Sequence, residues 1–199
     1  MARKPNTIRI IGGSHRGRLI RFPDIAGLRP TPDRVRETLF NWLGQDLRPK
    51  SCLDLFSGSG ALGIESASRG ARQVIMVDRS REAVRAIRSN VVLLSLANVT
   101  VECADALEFC DRLRRRNAEF DVVFLDPPFG EKGIARVEAL VSDLLADGGV
   151  VYIESEHIYR PAGGLRVLKQ GRAGMVYFAL AAKADLAARA DEHESLSDL

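Results

Sequence analysis

Short apolar runs of strand length recur along the chain, and between most of them lie longer segments whose apolar residues return every three or four positions. Runs of the first kind, rich in Val, Ile, Leu and Phe, predict strands buried on both faces, and the second kind predicts amphipathic helices. Strands are expected over residues 52–56, 73–77, 99–102, 121–125 and 150–154, with helices over 61–69, 81–95, 106–116 and 132–145. This alternation builds a parallel sheet with helices on both faces. After Pro161 the order changes: residues 165–170, a glycine-containing turn and residues 175–181 predict a hairpin with no helix between. The expectation is an α/β fold with a seven-stranded, mostly parallel sheet ending in an antiparallel hairpin.

Upstream, residues 7–11 and 18–22 predict two more short strands joined by a turn containing Gly12 and Gly13. A two-stranded hairpin is marginal alone, so it must lean on the main domain or on a substrate. Thr31-Pro32-Asp33 opens a helix with a hydroxyl N-cap, a proline at the first helical position and an acid in the first turn. Val35, Leu39, Trp42 and Leu43 form its apolar stripe, and Gly44 ends it. Arg34 and Arg36 lie about 100° either side of Val35, so they cannot both face one phosphate, and one is open to a structural role. Asp105 with Glu108 reads as a capping-box start for the helix over 106–116. The expected organisation is a basic hairpin extension over 1–30, an α/β domain over 31–182 and an acidic tail over 183–199 that frays.

Charge sharpens the picture of the front. The net charge of +3 is uneven: residues 1–50 hold eleven Lys/Arg against four Asp/Glu, and residues 181–199 hold two against five. A basic front on a near-neutral body points to a polyanionic partner, most simply nucleic acid. Arg9, Arg16, Arg18 and Arg21, with His15, give the hairpin a face suited to phosphates. Cys52, Cys103 and Cys110 have no metal-type spacing, and their odd number argues against a complete disulfide framework. Cys52 is expected to be a small core residue. No apolar stretch approaches the roughly 18 residues of a membrane span, and residues 1–6 lack the apolar core of a signal peptide, so a cytoplasmic location is expected.

Two stretches carry chemistry. The strand over 52–56 runs into Ser57-Gly58-Ser59-Gly60-Ala61-Leu62-Gly63, after which a helix begins. Such glycines let the backbone pass beneath a ligand, and the helix N-terminus offers free N–H groups. Twenty residues after Gly58, Asp78 stands where a carboxylate can accept hydrogen bonds from a ribose diol. Alone, this G-x-G-x-x-G pattern with its acid favours an NAD-dependent oxidoreductase. The second stretch is Asp126-Pro127-Pro128-Phe129, directly after the strand over 121–125. Its prolines stiffen the turn and leave bare carbonyls, so carboxylate and carbonyl acceptors can be aimed at an amine while the ring stacks on a flat base. The competing bland reading is a rigid strand-end turn whose Asp bonds its own backbone.

These stretches carry a resemblance. Asp54-Leu55-Phe56-Ser57-Gly58-Ser59-Gly60 resembles motif I of the class I S-adenosylmethionine methyltransferases, and Asp126-Pro127-Pro128-Phe129 matches the turn of enzymes that methylate exocyclic base amines. A Rossmann-like fold with an antiparallel terminal hairpin is implied, and an oxidoreductase would have no use for the second motif. The front is more specific. Arg9-Ile10-Ile11-Gly12-Gly13, Arg16-Gly17-Arg18, Gly27-Leu28-Arg29-Pro30-Thr31 and residues 33–43 look like the bacterial 16S rRNA guanine-N2 methyltransferases of the RsmD type.

The resemblance implies that S-adenosylmethionine is the cofactor, held by Asp54, Phe56, Ser57, Gly58, Ser59 and Gly60, with Asp78 on the ribose and Asp105 and Ala106 at the adenine. It implies Asp126, Pro127 and Phe129 as catalytic residues, and Arg9, Arg16, Arg18, Arg29 and Arg36 as contacts to 16S rRNA within an assembling small subunit, with the chain acting as a monomer. Asp105 is also open to a pure N-cap role, and Asp54 to supporting the loop. An adenine-N6 methyltransferase on DNA or RNA, and a non-catalytic RNA-binding assembly factor, are the alternatives that the same motifs allow.

Overall fold

The computed structural model describes residues 6–25, 28, 30–128, 134–161 and 164–184. Strands β1 (Asn6–Arg9) and β2 (Leu19–Phe22) form the front hairpin, and helix α1 (Asp33–Leu43) follows. Then come β3 (Ser51–Asp54), α2 (Ala61–Ser68), β4 (Gln73–Asp78), α3 (Arg81–Leu93), β5 (Val99–Cys103), α4 (Ala106–Arg114) and β6 (Phe120–Leu125). Helix α5 (Ile134–Asp143), β7 (Leu145–Ser155), β8 (Leu165–Ala173) and β9 (Val176–Lys183) complete the chain's described elements. The main sheet runs β5-β4-β3-β6-β7-β9-β8. Its first five strands are parallel, while β9 enters antiparallel between β7 and β8. The seven strands, the parallel body and the antiparallel ending match the expectation from the apolar pattern. The order reverses at β3, with β4 on one side and β6 on the other, and α/β sheets bind ligands beyond the strand ends at such a point.

Two apolar layers hold the sheet. On one face, Val35, Leu39 and Phe40 of α1, Ile64 and Ala67 of α2, and Val84 and Ile87 of α3 pack on Cys52, Val74, Met76, Val122, Phe124 and Tyr152. On the other, Phe109, Cys110 and Leu113 of α4 and Val137 and Val141 of α5 pack on Leu53, Val77, Val123, Leu125, Val151 and Ile153. Alternate strand residues thus go to opposite layers, as the period of two requires. Cys52 is a buried core residue. Among the described residues no helix is long and apolar enough to cross a membrane.

The front hairpin leans on the main sheet's helical layer. Ile8, Ile10, Ile20 and Phe22 are buried in the first layer, and Asn90 of α3 pairs with the Arg21 backbone, accepting its N–H at 3.1 Å and donating to its carbonyl at 2.8 Å. Glu65 of α2 is wholly buried. Its Oε2 accepts the Ile11 N–H at 2.9 Å and faces Arg36 Nη1 at 3.4 Å, while Oε1 accepts from Arg69 Nε at 2.9 Å. Arg36 also donates to the Arg9 carbonyl at 2.9 Å and to Asp33 at 2.7 Å. Two guanidiniums and a backbone amide therefore converge on one carboxylate and join the hairpin, α1 and α2.

This corrects one expectation. Arg36 is 1% exposed and both of its terminal nitrogens bond within the protein, so it cannot meet a phosphate; it is the structural member of the Arg34–Arg36 pair. Glu65→Gln removes the charge that both guanidiniums answer, and breaking a buried pair from one side costs about 3–5 kcal/mol. Chemical denaturation is expected to show a loss of that order, with the Ile11 amide exchanging faster than amides at the centre of the main sheet.

Candidate active site

The site forms where β3, β4, β6 and β7 end. After β3 the chain turns through Ser57, whose N–H donates to the Val77 carbonyl at 2.9 Å and whose hydroxyl donates to the Asp54 carbonyl at 3.0 Å. Gly58 (φ 48°) and Gly60 (φ 84°) are both left-handed, a conformation that Cβ disfavours. A Cβ on Gly63 would lie 2.7 Å from Met76, so glycine there lets α2 press against β4. Ser59 turns inward, its hydroxyl accepting the Ala61 N–H at 3.3 Å. Both serine side chains thus shape the loop, and the backbone is what the loop presents. Phe56 is half-buried beside it.

Asp78, at the end of β4, pins this loop. Its Oδ2 accepts the Gly58 N–H at 2.8 Å and its Oδ1 accepts the Ser80 N–H at 2.7 Å. A carboxylate has about four lone-pair sites, so two remain for the two hydroxyls of a ribose. Asp54 is buried and accepts the Gly63 N–H at 3.1 Å, anchoring the first turn of α2. Burial pushes its carboxyl up to about 7, the Gly63 N–H opposing this and the nearby Asp78 charge adding to it. Asp105 caps α4, its Oδ1 accepting from the Leu107 and Glu108 N–H groups at 2.9 and 3.2 Å, and Ala106 is buried behind it.

Asp126 follows β6 and is half-buried, with Pro127 half-buried and Pro128 exposed. Phe129 and Arg29 lie outside the described residues, as do residues 185–199 of the acidic tail. Beside Asp126, at the end of the neighbouring β7, stands Glu154, which is 6% exposed. Tyr152 donates to Glu154 Oε1 at 2.8 Å. The Thr31 hydroxyl reaches Asp126 Oδ2 at 3.4 Å and lies near enough to Glu154 to oppose the rise of its carboxyl. The Asp126 carboxyl is held well above the usual carboxylate range by burial first, then by the charges of Glu154 and Asp54, with Thr31 opposing. Glu154 is raised too, mainly by burial.

The expected N-cap role of Thr31 is not what the structure shows. Pro32 occupies the cap position of α1 without a side-chain cap bond, and the Thr31 hydroxyl serves the carboxylates instead. Glu154 was not singled out in the sequence, although a carboxylate closing a buried strand, as Asp54 and Asp126 do, was a visible signal.

The RNA candidates separate clearly. Arg9, Arg16 and Arg18 are exposed on the hairpin, Arg9 donating to the Gly17 carbonyl at 3.1 Å. A groove of about 350 Å3 lined by Thr7, Ile8, Arg9, Leu19 and residues 30–33 leads from the hairpin to Thr31.

A family model described as conserved hypothetical protein 95 matches residues 8–182. The chain is 42% identical over 161 residues to the ribosomal RNA small subunit methyltransferase D of Escherichia coli strain K12, covering 77% of this chain and 80% of that one. The chain belongs to the RsmD family. Solved structures agree with this family membership: yhhF from Escherichia coli, described as a methyltransferase, superposes with a TM-score of 0.79 at 36% identity, over 90% of this chain and 99% of its own. A methylase from Haemophilus influenzae does so with a TM-score of 0.76 at 31% identity, over 90% and 100%.

In this RsmD-family chain, Asp78→Ala is expected to leave the Gly58 and Ser80 amides without acceptors. Hydrogen exchange on the ligand-free protein should then show those two amides losing protection while the α2 amides keep theirs, since Asp54 still anchors that helix.

Proposed function

We propose that this chain, an S-adenosylmethionine-dependent methyltransferase of small-subunit ribosomal RNA, methylates the exocyclic N2 amine of a guanine. The observation that carries the reading is the meeting of two motifs on adjacent parallel strands: the open glycine loop after β3, and a carboxylate with two prolines after β6. S-Adenosylmethionine, when bound, supplies a methyl group carried on a positively charged sulfonium. The donor set fits such a ligand, because Asp54, Asp78, Asp126 and Glu154 crowd the strand ends with carboxyl groups whose charges act on one another. Asp78 has lone pairs left for ribose hydroxyls, the backbone of residues 57–60 borders the methionine portion, and Asp105 with Ala106 flanks the adenine.

The amine on guanine C2 is a weak nucleophile, since its lone pair is delocalised into the ring. The Asp126 carboxylate and the Pro127 carbonyl accept its two N–H bonds, which orients the amine and localises the lone pair. Once the amine has accepted the methyl group, its nitrogen would carry one surplus proton, which Asp126 or water would take. Phe129 is the candidate stacking platform for the extruded base. Arg9, Arg16 and Arg18, with Arg29, provide phosphate contacts, and the groove beside Thr31 gives the strand a route to Asp126.

Asp126→Ala is expected to lower methyl transfer to rRNA at least roughly 100-fold, as for loss of a group that orients a nucleophile. Asp126→Asn keeps an acceptor oxygen, so activity retained in Asn but not Ala marks orientation as the main contribution. Nucleoside digestion of the product should give N2-methylguanosine; N6-methyladenosine would overturn the choice of base, and full activity in folded Asp126→Ala the choice of site.

The hairpin's arginines call for substitution rather than deletion, because removing residues 1–22 would also strip four buried apolar side chains from the core. Arg16→Gln with Arg18→Gln should weaken RNA binding and flatten its log–log salt dependence by about 0.7 per lost phosphate contact, measured by titration at several salt concentrations.

A further inference from the structure

Asp126 is asked to be an ionised acceptor, yet its setting works against its charge. It stands beside Glu154 on the same face of neighbouring strands, since Phe124 and Tyr152, two residues earlier in each strand, share one apolar layer. Asp54 adds a third carboxylate from β3. Among the described residues, the groups that bear on the pair are Asp54 from β3, itself acted on by Asp78 from β4, Tyr152 from β7 and Thr31 from the segment before α1. None of these is a cation.

Two ionised carboxylates would compete for the single hydroxyl hydrogen of Thr31. A hydroxyl has one donor and two acceptor sites, so one added proton resolves the conflict. With Glu154 protonated, its O–H donates to Thr31 Oγ1, and Thr31 donates to Asp126 Oδ2. Tyr152 meanwhile donates to Glu154 Oε1, fixing that carboxyl in its buried place. Glu154 is the more enclosed of the two and Asp126 the one nearer solvent, so the neutral acid belongs inside and the charge outside. Burial raises both groups above the usual carboxylate range, and the charge of Glu154 raises Asp126 further, so the pair is disposed to retain one proton.

We propose that Glu154 is a positioning residue for methyl transfer, holding the proton shared with Asp126 and, through the Thr31 hydroxyl, keeping Asp126 ionised towards the substrate amine. The inference rests on the reading of Asp126 proposed above. The amine gives its surplus proton to ionised Asp126, the pair then holds two protons, and the partly buried Asp126 returns one to water before the next turnover.

Two substitutions read the pair differently. Glu154→Gln copies the neutral acid in shape and charge, so the acid limb of the pH profile of kcat/KM should stay in place; were Glu154 the ionised member, loss of its charge would move that limb down by about one pH unit or more. Thr31→Val removes the hydroxyl that donates to Asp126 and should move the limb up. A merely structural role for Thr31 would lower activity at every pH without moving the limb.

A second readout uses the ligand-free protein. Both carboxyls are raised on folding, so their contribution to stability is full below the ordinary carboxylate range and is lost as pH rises through the folded values. Glu154→Gln should therefore lose less thermal stability between pH 5 and pH 8 than the unsubstituted protein. Asp54 contributes equally to both and cancels. An unmoved limb in Glu154→Gln, a raised limb in Thr31→Val and the flatter stability profile support the proposal; a lowered limb in folded Glu154→Gln, an unmoved limb in folded Thr31→Val, or coincident stability profiles overturn it. The ligand-free profile reports the carboxyl pair whatever reaction is catalysed, so failure of the pair is distinguishable from inactivity or full activity in Asp126→Ala.

Discussion

One buried carboxylate, Glu65, sets the relation between the front of this protein and its catalytic frame. It accepts the Ile11 N–H and answers two guanidiniums, Arg36 and Arg69, while Arg69 also stacks over the Phe40 ring at 4.6 Å. Two positive charges on one negative charge leave a surplus, and Asp33 at 2.7 Å from Arg36 offsets it from the first turn of α1. Such a cluster is stable only when every member is present, because each was taken out of water at the expense of its hydration. The hairpin that carries the exposed arginines is thereby part of the same rigid body as the glycine loop, since Glu65 lies on the helix which that loop begins.

The other end of the sheet has the opposite electrostatic character. Where the front concentrates cations, the strand ends concentrate acids, and the sheet itself brings them together: Asp54, Asp126 and Glu154 end three consecutive strands in space and sit on one face. Parallel register aligns strand ends, so a carboxylate placed last in each strand is delivered to the same crevice. Asp54 and Asp78 use that position to organise the loop backbone, whereas Asp126 accepts from the Thr31 hydroxyl through one oxygen. A cationic cofactor and a neutral amine are suited to this floor, and the polyanionic backbone of RNA is suited to the exposed arginines at the front.

Much of this was legible in the sequence. The apolar runs located β3 to β6 within two residues at either end, because strands buried on both faces are written as unbroken apolar runs, but β7 begins at Leu145, five residues before the expected start, where Asp147, Gly148 and Gly149 interrupt the run. The glycine loop and the Asp-Pro-Pro turn were visible because local chemistry determines them: left-handed φ at Gly58 and Gly60, a donor-free turn at Pro127 and Pro128. Roles set by distant partners were not visible. Arg36 reads as a surface cation on a helix, and only the approach of Arg9, 27 residues earlier, and Glu65, 29 residues later, makes it internal. Thr31 has the local grammar of an N-cap, yet its partner lies 95 residues away. Asp105, whose partners are its own next residues, was read correctly as a cap.

The strand order also has a consequence at the sheet's outer edge. Among the described residues, strand β8 is bonded only through β9, and its register with that strand shifts between Val167 and Lys169. Arg166, Lys169 and Arg172 are exposed along it. A bulged edge bearing cations is a poor template for another strand, since the ladder is interrupted and an identical edge would meet it with like charge. A sheet open on this side can thus remain in concentrated solution without recruiting further copies into a continuous β-ribbon.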